Sequence, residues 1–294
     1  MGATNFDQVQ ANLFLGPGLG SISPFARAFF VDGNLGVDSG TGQNPLKPFR
    51  TMQYAFNQLR SGDVIYFRGN IVENLSAPAG IFDVSIIGCG NRPRHADAHT
   101  SNNGYSAATW KAAVQTDPLL ILRQQGWRLS NLLLDAPTSD AAIEFIRDAA
   151  SGDSERDSSH AEILGCRFAS GATGILITGT ENVFNVRVEG CTFNDLTDAI
   201  KGDTAWRWQI IGNEFHSNTN HVDSGFTQSV IRGNTFGKFT TKSIDLTGGA
   251  NNVVYTNYLY GTYSNVGGYT AGTGDEWGGN YNSITGGLTA ADPA

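Results

Sequence analysis

Gly165-Cys166-Arg167-Phe168, Gly190-Cys191-Thr192-Phe193, Gly212-Asn213-Glu214-Phe215 and Gly233-Asn234-Thr235-Phe236 are four copies of one short pattern, a glycine followed three residues later by phenylalanine. A degenerate fifth copy is Thr256-Asn257-Tyr258-Leu259. Successive copies begin 25, 22, 21 and 23 residues apart. Short β-prone runs repeating at this length are the mark of a solenoid whose coils stack, each burying the next. The reading is all-β. Side chains alternate along a strand, so aligned copies also predict which residues stack. Phe168, Phe193, Phe215, Phe236 and Leu259 form one internal ladder, and Ile163, Val188, Ile210, Ile231 and Val254 form a second. Asn213, Asn234 and Asn257, with Asn131 earlier, fall at the bend after a strand, where asparagine tolerates the left-handed conformation and its amide bonds along the stack.

Composition agrees. Of 294 residues only 16% are charged and 37 are glycine, which suits many short strands joined by tight turns and not long amphipathic helices. The net charge of −8, with no basic cluster, argues against a nucleic-acid binder. No apolar run reaches the length of a membrane span. Three cysteines make no disulfide framework. Cys166 and Cys191 share a repeat position, which leaves two readings: a stacked pair of small apolar side chains, or a disulfide between coils. The N-terminus shows neither a basic region nor an apolar one, so no secretion signal is readable and synthesis in a cytoplasm is expected.

Upstream of the repeats, Phe29-Phe30-Val31 reads as a strand. Met52, Ala55, Phe56 and Leu59 fall at i, i+3, i+4 and i+7, a short amphipathic helix with Thr51 as its N-cap. Val31-Asp32-Gly33, Asp38-Ser39-Gly40-Thr41-Gly42, Pro48-Phe49-Arg50-Thr51-Met52, Gly62-Asp63-Val64-Ile65-Tyr66 and Gly69-Asn70-Ile71-Val72-Glu73 together resemble the opening of pectate-lyase-like right-handed parallel β-helix proteins. The resemblance implies that the helix caps one end of the solenoid. It divides the chain into an extended arm at 1–28, a β-helix at 29–265 and an irregular tail at 266–294. It is specific for fold and not for activity, since such proteins include lyases, hydrolases, adhesins and phage spikes.

Two intervals exceed one coil. Gly88 and Ser130 are read as equivalent although 42 residues apart, and 35 residues separate Ser130 from Gly165. The excess falls at 91–117, which holds Arg92, Arg94, His95, Asp97 and His99, and at 148–160. Both are read as loops leaving a rigid scaffold, where binding residues commonly sit.

A further strand per coil runs through Ile175, Ile200, Val222 and Ile244. With these inside, their neighbours Lys201, His221, Asp223, Ser243 and Asp245 are expected on an outward patch. Asp223 and Asp245 then lie on adjacent coils at about 5 Å, the separation of a retaining glycosidase pair, and mutual repulsion raises one pKa as a general acid requires. The competing reading is a solvated face ion-paired with Lys201. Trp206 and Trp208 are expected to share one side of a coil. Trp208 aligns with Val186 and belongs in the core, while Trp206 joins Lys201, His221, Arg92 and Arg94 as a candidate binding residue. His216 and His221 sit in no recognisable metal spacing, and no metal or cofactor is expected. The Asn-Thr-Asp, Asp-Asp and Gly-His-Gly segments of polygalacturonase-like hydrolases are missing.

The flexible front arm and the Gly-rich tail resemble phage structural proteins in style. This resemblance implies a virion-associated structural or receptor-binding appendage: a homotrimer, joined to other virion proteins through the arm and binding host glycans. The trimer would cover a front face rich in Val, Ile and Tyr. The alternative is a polysaccharide lyase or glycoside hydrolase on an acidic or capsular polysaccharide, with Asp223 and Asp245 catalytic, and an extracellular rather than virion location.

Overall fold

The structure, a computed structural model, describes residues 26–90, 108–146, 158–178, 183–264, 266–289 and 292–293. Among these the chain winds as a right-handed parallel β-helix. One sheet takes a strand from each coil, ten in all among the described residues, beginning with Ala28–Asp32, Val64–Arg68 and Ser85–Gly88 and ending with Glu276–Gly278. The second sheet takes two strand stations from each coil. In the middle coils these stations fuse into long strands that bend around a corner, Arg167–Ile177, Thr192–Trp206 and Asn218–Thr227.

Three ladders fill the interior. Ile163, Val188, Ile210, Ile231 and Val254 stack in register as the spacing predicts, continued by Leu129 before and Trp277 after. Leu134, Phe168, Phe193, Phe215, Phe236 and Leu259 form the second. Within it the four phenylalanine rings lie at centroid separations of 4.6, 4.9 and 4.8 Å and within 9° of parallel. Ile143, Ile175, Ile200, Val222, Ile244 and Tyr269 form the third. All of these are buried. Cys166 and Cys191 are buried and free, so the stacked apolar pair is the reading that stands.

The glycine of the repeat has a backbone cause. Gly165, Gly190, Gly212 and Gly233 have φ between 59° and 64°, the left-handed region that turns the chain from the first sheet into the second. Asn131 and Thr256 take the same conformation at φ 56° and 55°. Asn131 therefore occupies the glycine position, not that of Asn213. The pairing of Ile87 with Ser130 and of Ser130 with Leu164 makes the same correction: Ser130 is equivalent to Ile87, one residue from the expected match with Gly88.

The amides of Asn213, Asn234, Asn257 and Asn280 make a buried ladder along the axis. Each Oδ1 accepts the backbone N–H of the preceding coil at 2.8–3.0 Å, from Cys191, Asn213, Asn234 and Asn257 in turn. Each Nδ2 donates to a carbonyl of that same preceding coil, those of Val188, Ile210, Ile231 and Val254. Backbone groups at the bend thus find partners away from water.

The helix Met52–Phe56 begins at Thr51, whose hydroxyl accepts from the Tyr54 N–H, and stops short of Leu59. Its Met52, Ala55 and Phe56 cover the end of the core, with the Phe56 ring against Trp110 and Trp127 at 6.3 and 5.7 Å. Arg27–Asp63 and Arg68–Asp32 ion pairs, each with a buried carboxylate, tie this end together. The excursion expected to run to residue 117 ends sooner: Ala108–Lys111 is a strand, with Trp110 in the core. At the other end the repeat runs past 265. Tyr269–Thr270, Glu276–Gly278 and Tyr281–Asn282 are strands, and Gly287–Leu288 turns back antiparallel over the last coil. No described helix is long and apolar enough to cross a membrane.

Candidate functional site

The third ladder positions a charged cluster on the outside of the coils. With Ile175, Ile200, Val222 and Ile244 pointing inward, the next residue of each strand points out. Leu176, Lys201, Asp223, Asp245 and Thr270 accordingly follow one another in register. Asp198, Asn220 and Lys242 form a second row three residues earlier in each strand, also in register.

Asp198 is buried and held twice, by Lys201 Nζ at 2.8 Å and Asn220 Nδ2 at 2.6 Å. Asp245 accepts the Thr247 hydroxyl at 2.6 Å and the Thr247 N–H at 3.0 Å on one oxygen. Its other oxygen meets Lys242 Nζ at 3.0 Å, and Lys242 also reaches the Thr270 hydroxyl at 3.3 Å. Asp223 differs: it is half-buried and has neither a hydrogen bond nor an ion pair among the described residues.

These surroundings separate the two carboxyls. Burial, then the charges of Asp245 and Asp198, push the Asp223 pKa up, against smaller opposing effects of Lys201 and Lys242. Burial alone would raise Asp245 as well, but the Thr247 and Lys242 hydrogen bonds outweigh it and hold that carboxyl below its usual range. One coil separates the pair, about 4.8 Å. A carboxyl favouring its proton beside one favouring its charge is the division of labour that acid-assisted displacement needs. Three coils before Asp223, burial also raises Glu144, whose carboxylate accepts the Thr178 hydroxyl at 2.9 Å.

The structure brings Asp223, Asp245 and Lys201 together as expected and adds Asp198, Asn220, Lys242 and Thr270, which the sequence reading passed over. The signal for them was present, since all lie at matching repeat positions. What hid them is the corner: the ladder shifts register between Asn218 and Asn220.

His221 is a correction. It lies wholly inside the core and not on the patch, flanked by Phe215, Phe236 and Phe239 at centroid distances of 5.8–6.0 Å. Ser243, at the equivalent place one coil on, is buried too. Both precede the inward residue at the corner, where strict alternation fails. His221 Nε2 donates to the Gly237 carbonyl at 3.1 Å and Nδ1 accepts from Asn218 Nδ2 at 3.0 Å. Burial pushes its pKa down to about 4.

Trp206 is half-buried on the outside, its ring 6.4 Å from Phe184, while Trp208 is in the core. The two do not share a side because Arg207 between them is left-handed, φ 57°. Trp206 stands five residues beyond Lys201, at the far end of the same strand, and is not part of the charged cluster. Arg92 and Arg94, with His95, Asp97 and His99, lie outside the described residues.

Among the described residues no three His, Cys, Asp or Glu side chains gather as a metal site. The Cys191 thiol donates to the Ile163 carbonyl at 3.4 Å, and that of Cys166 lies 3.7 Å from the Leu164 carbonyl. Burial pushes the Cys89 thiol up to about 11. His160 Nε2 is engaged by Asn185 and His216 Nδ1 by Ser217.

Comparison with solved structures confirms the fold. The chain is similar to the GH136 lacto-N-biosidase from Eubacterium ramulus, with a TM-score of 0.50 and 11% identity over 79% of this chain. It spans 56% of that protein, little more than half. Pectin methylesterase PemA from Erwinia chrysanthemi matches at a TM-score of 0.36 and 12% identity, covering 90% of this chain and 85% of the other. DFA-IIIase from Arthrobacter chlorophenolicus A6 matches at 0.33 and 10%, covering 79% and 70%. No curated protein matches in sequence. Residues 100–286, well over half of the chain and most of its coils, match the family described as periplasmic copper-binding protein (NosD), and the chain belongs to that family.

Proposed function

We propose that this protein is a carbohydrate-active β-helix that hydrolyses a glycosidic bond on the outer face of its third ladder, with Asp223 as general acid and Asp245 as nucleophile. The observation that carries the reading is the pair itself: two carboxyls in register on adjacent coils, one unpaired and raised, the other fixed by Thr247 and Lys242 and lowered. A separation near one coil spacing suits a retaining displacement, in which the second carboxylate attacks the sugar directly and leaves no room for an intervening water. Asp223 protonates the departing glycosidic oxygen. Its carboxylate then accepts the proton of the water that releases the glycosyl–Asp245 ester. Lys242 keeps Asp245 ionised and aimed outward, while Asp198 is held by Lys201 and Asn220 and takes no part in the chemistry. The glycan-acting neighbours in fold agree with this reading without carrying it.

Purified protein incubated with a panel of polysaccharides should release new reducing ends. Asp223→Asn and Asp245→Asn should each lower the rate 100-fold or more, while leaving the melting temperature unchanged. A panel without any product, or full activity in both variants, sinks the proposal.

The family description names copper, and the described residues do not fit it. The ring nitrogens of His221 are both used, Cys166 and Cys191 are buried in the ladders, and no third donor stands beside any of them. No step is routed through a metal. The periplasmic part of that description favours the extracellular alternative for location. The virion-attached homotrimer rests on the arm at 1–28, of which only 26–28 are described; copurification with virus particles tests it directly, and absence from particles removes it.

A further inference from the structure

Tyr258 and Tyr281 occupy register-paired outward positions on adjacent coils. Their rings stack with centroids 5.4 Å apart and 23° between planes, yet they remain 44% and 41% exposed. Tyr260, on the other flank of the buried Leu259, is 46% exposed and makes no ring contact among the described residues. A cross-strand aromatic pair stabilises a sheet by up to about 1 kcal/mol, which accounts for the pair but not for the third ring.

We propose that Tyr258, Tyr281 and Tyr260 form a stacking platform for a neutral glycan chain lying along the helix axis. This deepens the carbohydrate reading above but does not rest on the aspartate pair, which belongs to a different strand station of the coil. Three features select the occupant. The exposed parts of three tyrosine side chains amount to roughly 300 Å², well below the ~800 Å² per partner of a standard protein interface, so a second copy or a protein partner is not what the patch is built for. The outward row leading to the pair runs Arg167, Thr192, Glu214 and Thr235; Arg167 is buried near the charge of Glu214, so the row presents hydroxyls and no exposed cation. With a net charge of −8 in addition, a polyanion is disfavoured. Lastly, the paired rings repeat at one coil, about 4.8 Å, close to the advance per pyranose in an extended sugar chain. The apolar C–H face of a sugar can therefore lie on the unstacked Tyr260 ring, with the next sugar against the solvent-facing edges of the Tyr258–Tyr281 pair, while its hydroxyls meet Thr235 and its neighbours.

Affinity electrophoresis through gels containing soluble β-glucan, xylan, galactomannan or, as the anionic arm, polygalacturonate tests this. The full chain should be retarded by at least one neutral polymer. Tyr258→Ala, Tyr281→Ala and Tyr260→Ala should each weaken that retardation tenfold or more, and Tyr258→Phe should keep it, because stacking and not the hydroxyl provides the contact. Asp223→Asn should bind as the unmodified protein does. Retardation by polygalacturonate alone, by no polymer, or undiminished in the three alanine variants overturns the proposal. So does a dimer in sedimentation that Tyr258→Ala abolishes. If Asp223→Asn leaves activity intact while the tyrosine variants lose binding, the catalytic assignment fails and the platform stands; the reverse pattern separates them the other way.

Discussion

Asp223 and Asp245 make the sharpest prediction at the scale of single residues, because their pKa values move in opposite directions. The acid must carry its proton, so activity falls as pH rises through the elevated Asp223 value. The nucleophile must be ionised, so activity falls as pH drops through the depressed Asp245 value. A bell-shaped kcat/KM profile should result, wider on its alkaline side than two ordinary aspartates would allow. Replacing Lys242 with Met should raise the Asp245 value and move the acid limb upward, with a smaller upward shift of the alkaline limb because Lys242 also lowers Asp223. His221 makes a separate prediction about stability. Its pKa falls from an unfolded value near 6.5 to about 4 in the fold, so the folded state binds fewer protons than the unfolded state between those values. Stability is therefore complete above pH 6.5 and declines as pH falls toward 4, by about 3 kcal/mol in total. His221→Phe keeps a ring among Phe215, Phe236 and Phe239 but cannot titrate. Urea unfolding at pH 7 and pH 4.5 should show a smaller difference for the variant than for the unmodified protein. It should also show lower stability at pH 7, since Asn218 and the Gly237 carbonyl lose a partner.

Two kinds of ladder run through the coils, and their failures differ. Phe215→Ala opens a gap between two stacked rings and should cost about 3–5 kcal/mol. Asn234→Leu fills the space but orphans the Asn213 N–H, the Ile210 carbonyl and one partner of the Asn257 amide at once. With about 1–3 kcal/mol for each buried polar group left unpaired, Asn234→Leu should be at least as damaging as Phe215→Ala despite its greater apolar volume. Equilibrium denaturation of the two variants checks the order. The apolar ladders were legible in the sequence because strand alternation and a fixed repeat leave one choice of inward residue. The bend was legible from its asparagines, although the left-handed conformation expected of Asn213, Asn234 and Asn257 belongs to the residue before each, and Thr51 was legible as a cap. Illegible were the places where the backbone leaves the alternating pattern. A left-handed Arg207 put Trp206 outside, and a bent strand put His221 inside. A one-residue slip at Ser130 misplaced Asn131, because a 42-residue interval gives the eye no repeat to count against. The outward placement of Asp223 and Asp245 was legible because both follow the inward residue after the corner. Lys242 and Asp198 precede the corner and dropped out for that reason.

A solenoid is stabilised by contacts between neighbouring coils, so its ends decide whether the whole remains folded. Here the two ends are closed by different means. At the front, the helix Met52–Phe56 lays Met52, Ala55 and Phe56 over Trp110 and Trp127, and the buried Asp63 accepts N–H groups from both Arg27 and Arg60. At the back, Gly287–Leu288 folds antiparallel on Tyr281–Asn282, and the Asp292 carboxylate accepts the Trp277 N–H. Phe56→Asp drives a charge into the front seal, where it has no partner among the aromatic rings it would replace. The first coils should then fray while those around Phe215 keep their neighbours. Hydrogen exchange should accelerate in Val64–Arg68 and Ser85–Gly88 and stay slow in Glu214–His216 and Val230–Arg232. Exposed strand edges at the open end also predict concentration-dependent association. Uniform acceleration along the chain would mean that the coils unfold as one cooperative block and that the cap seals the entire molecule. Acceleration confined to the front would mean that the face carrying Asp223 and Asp245 keeps its geometry, and hydrolysis by the Phe56→Asp protein at low concentration should then continue at the unmodified rate.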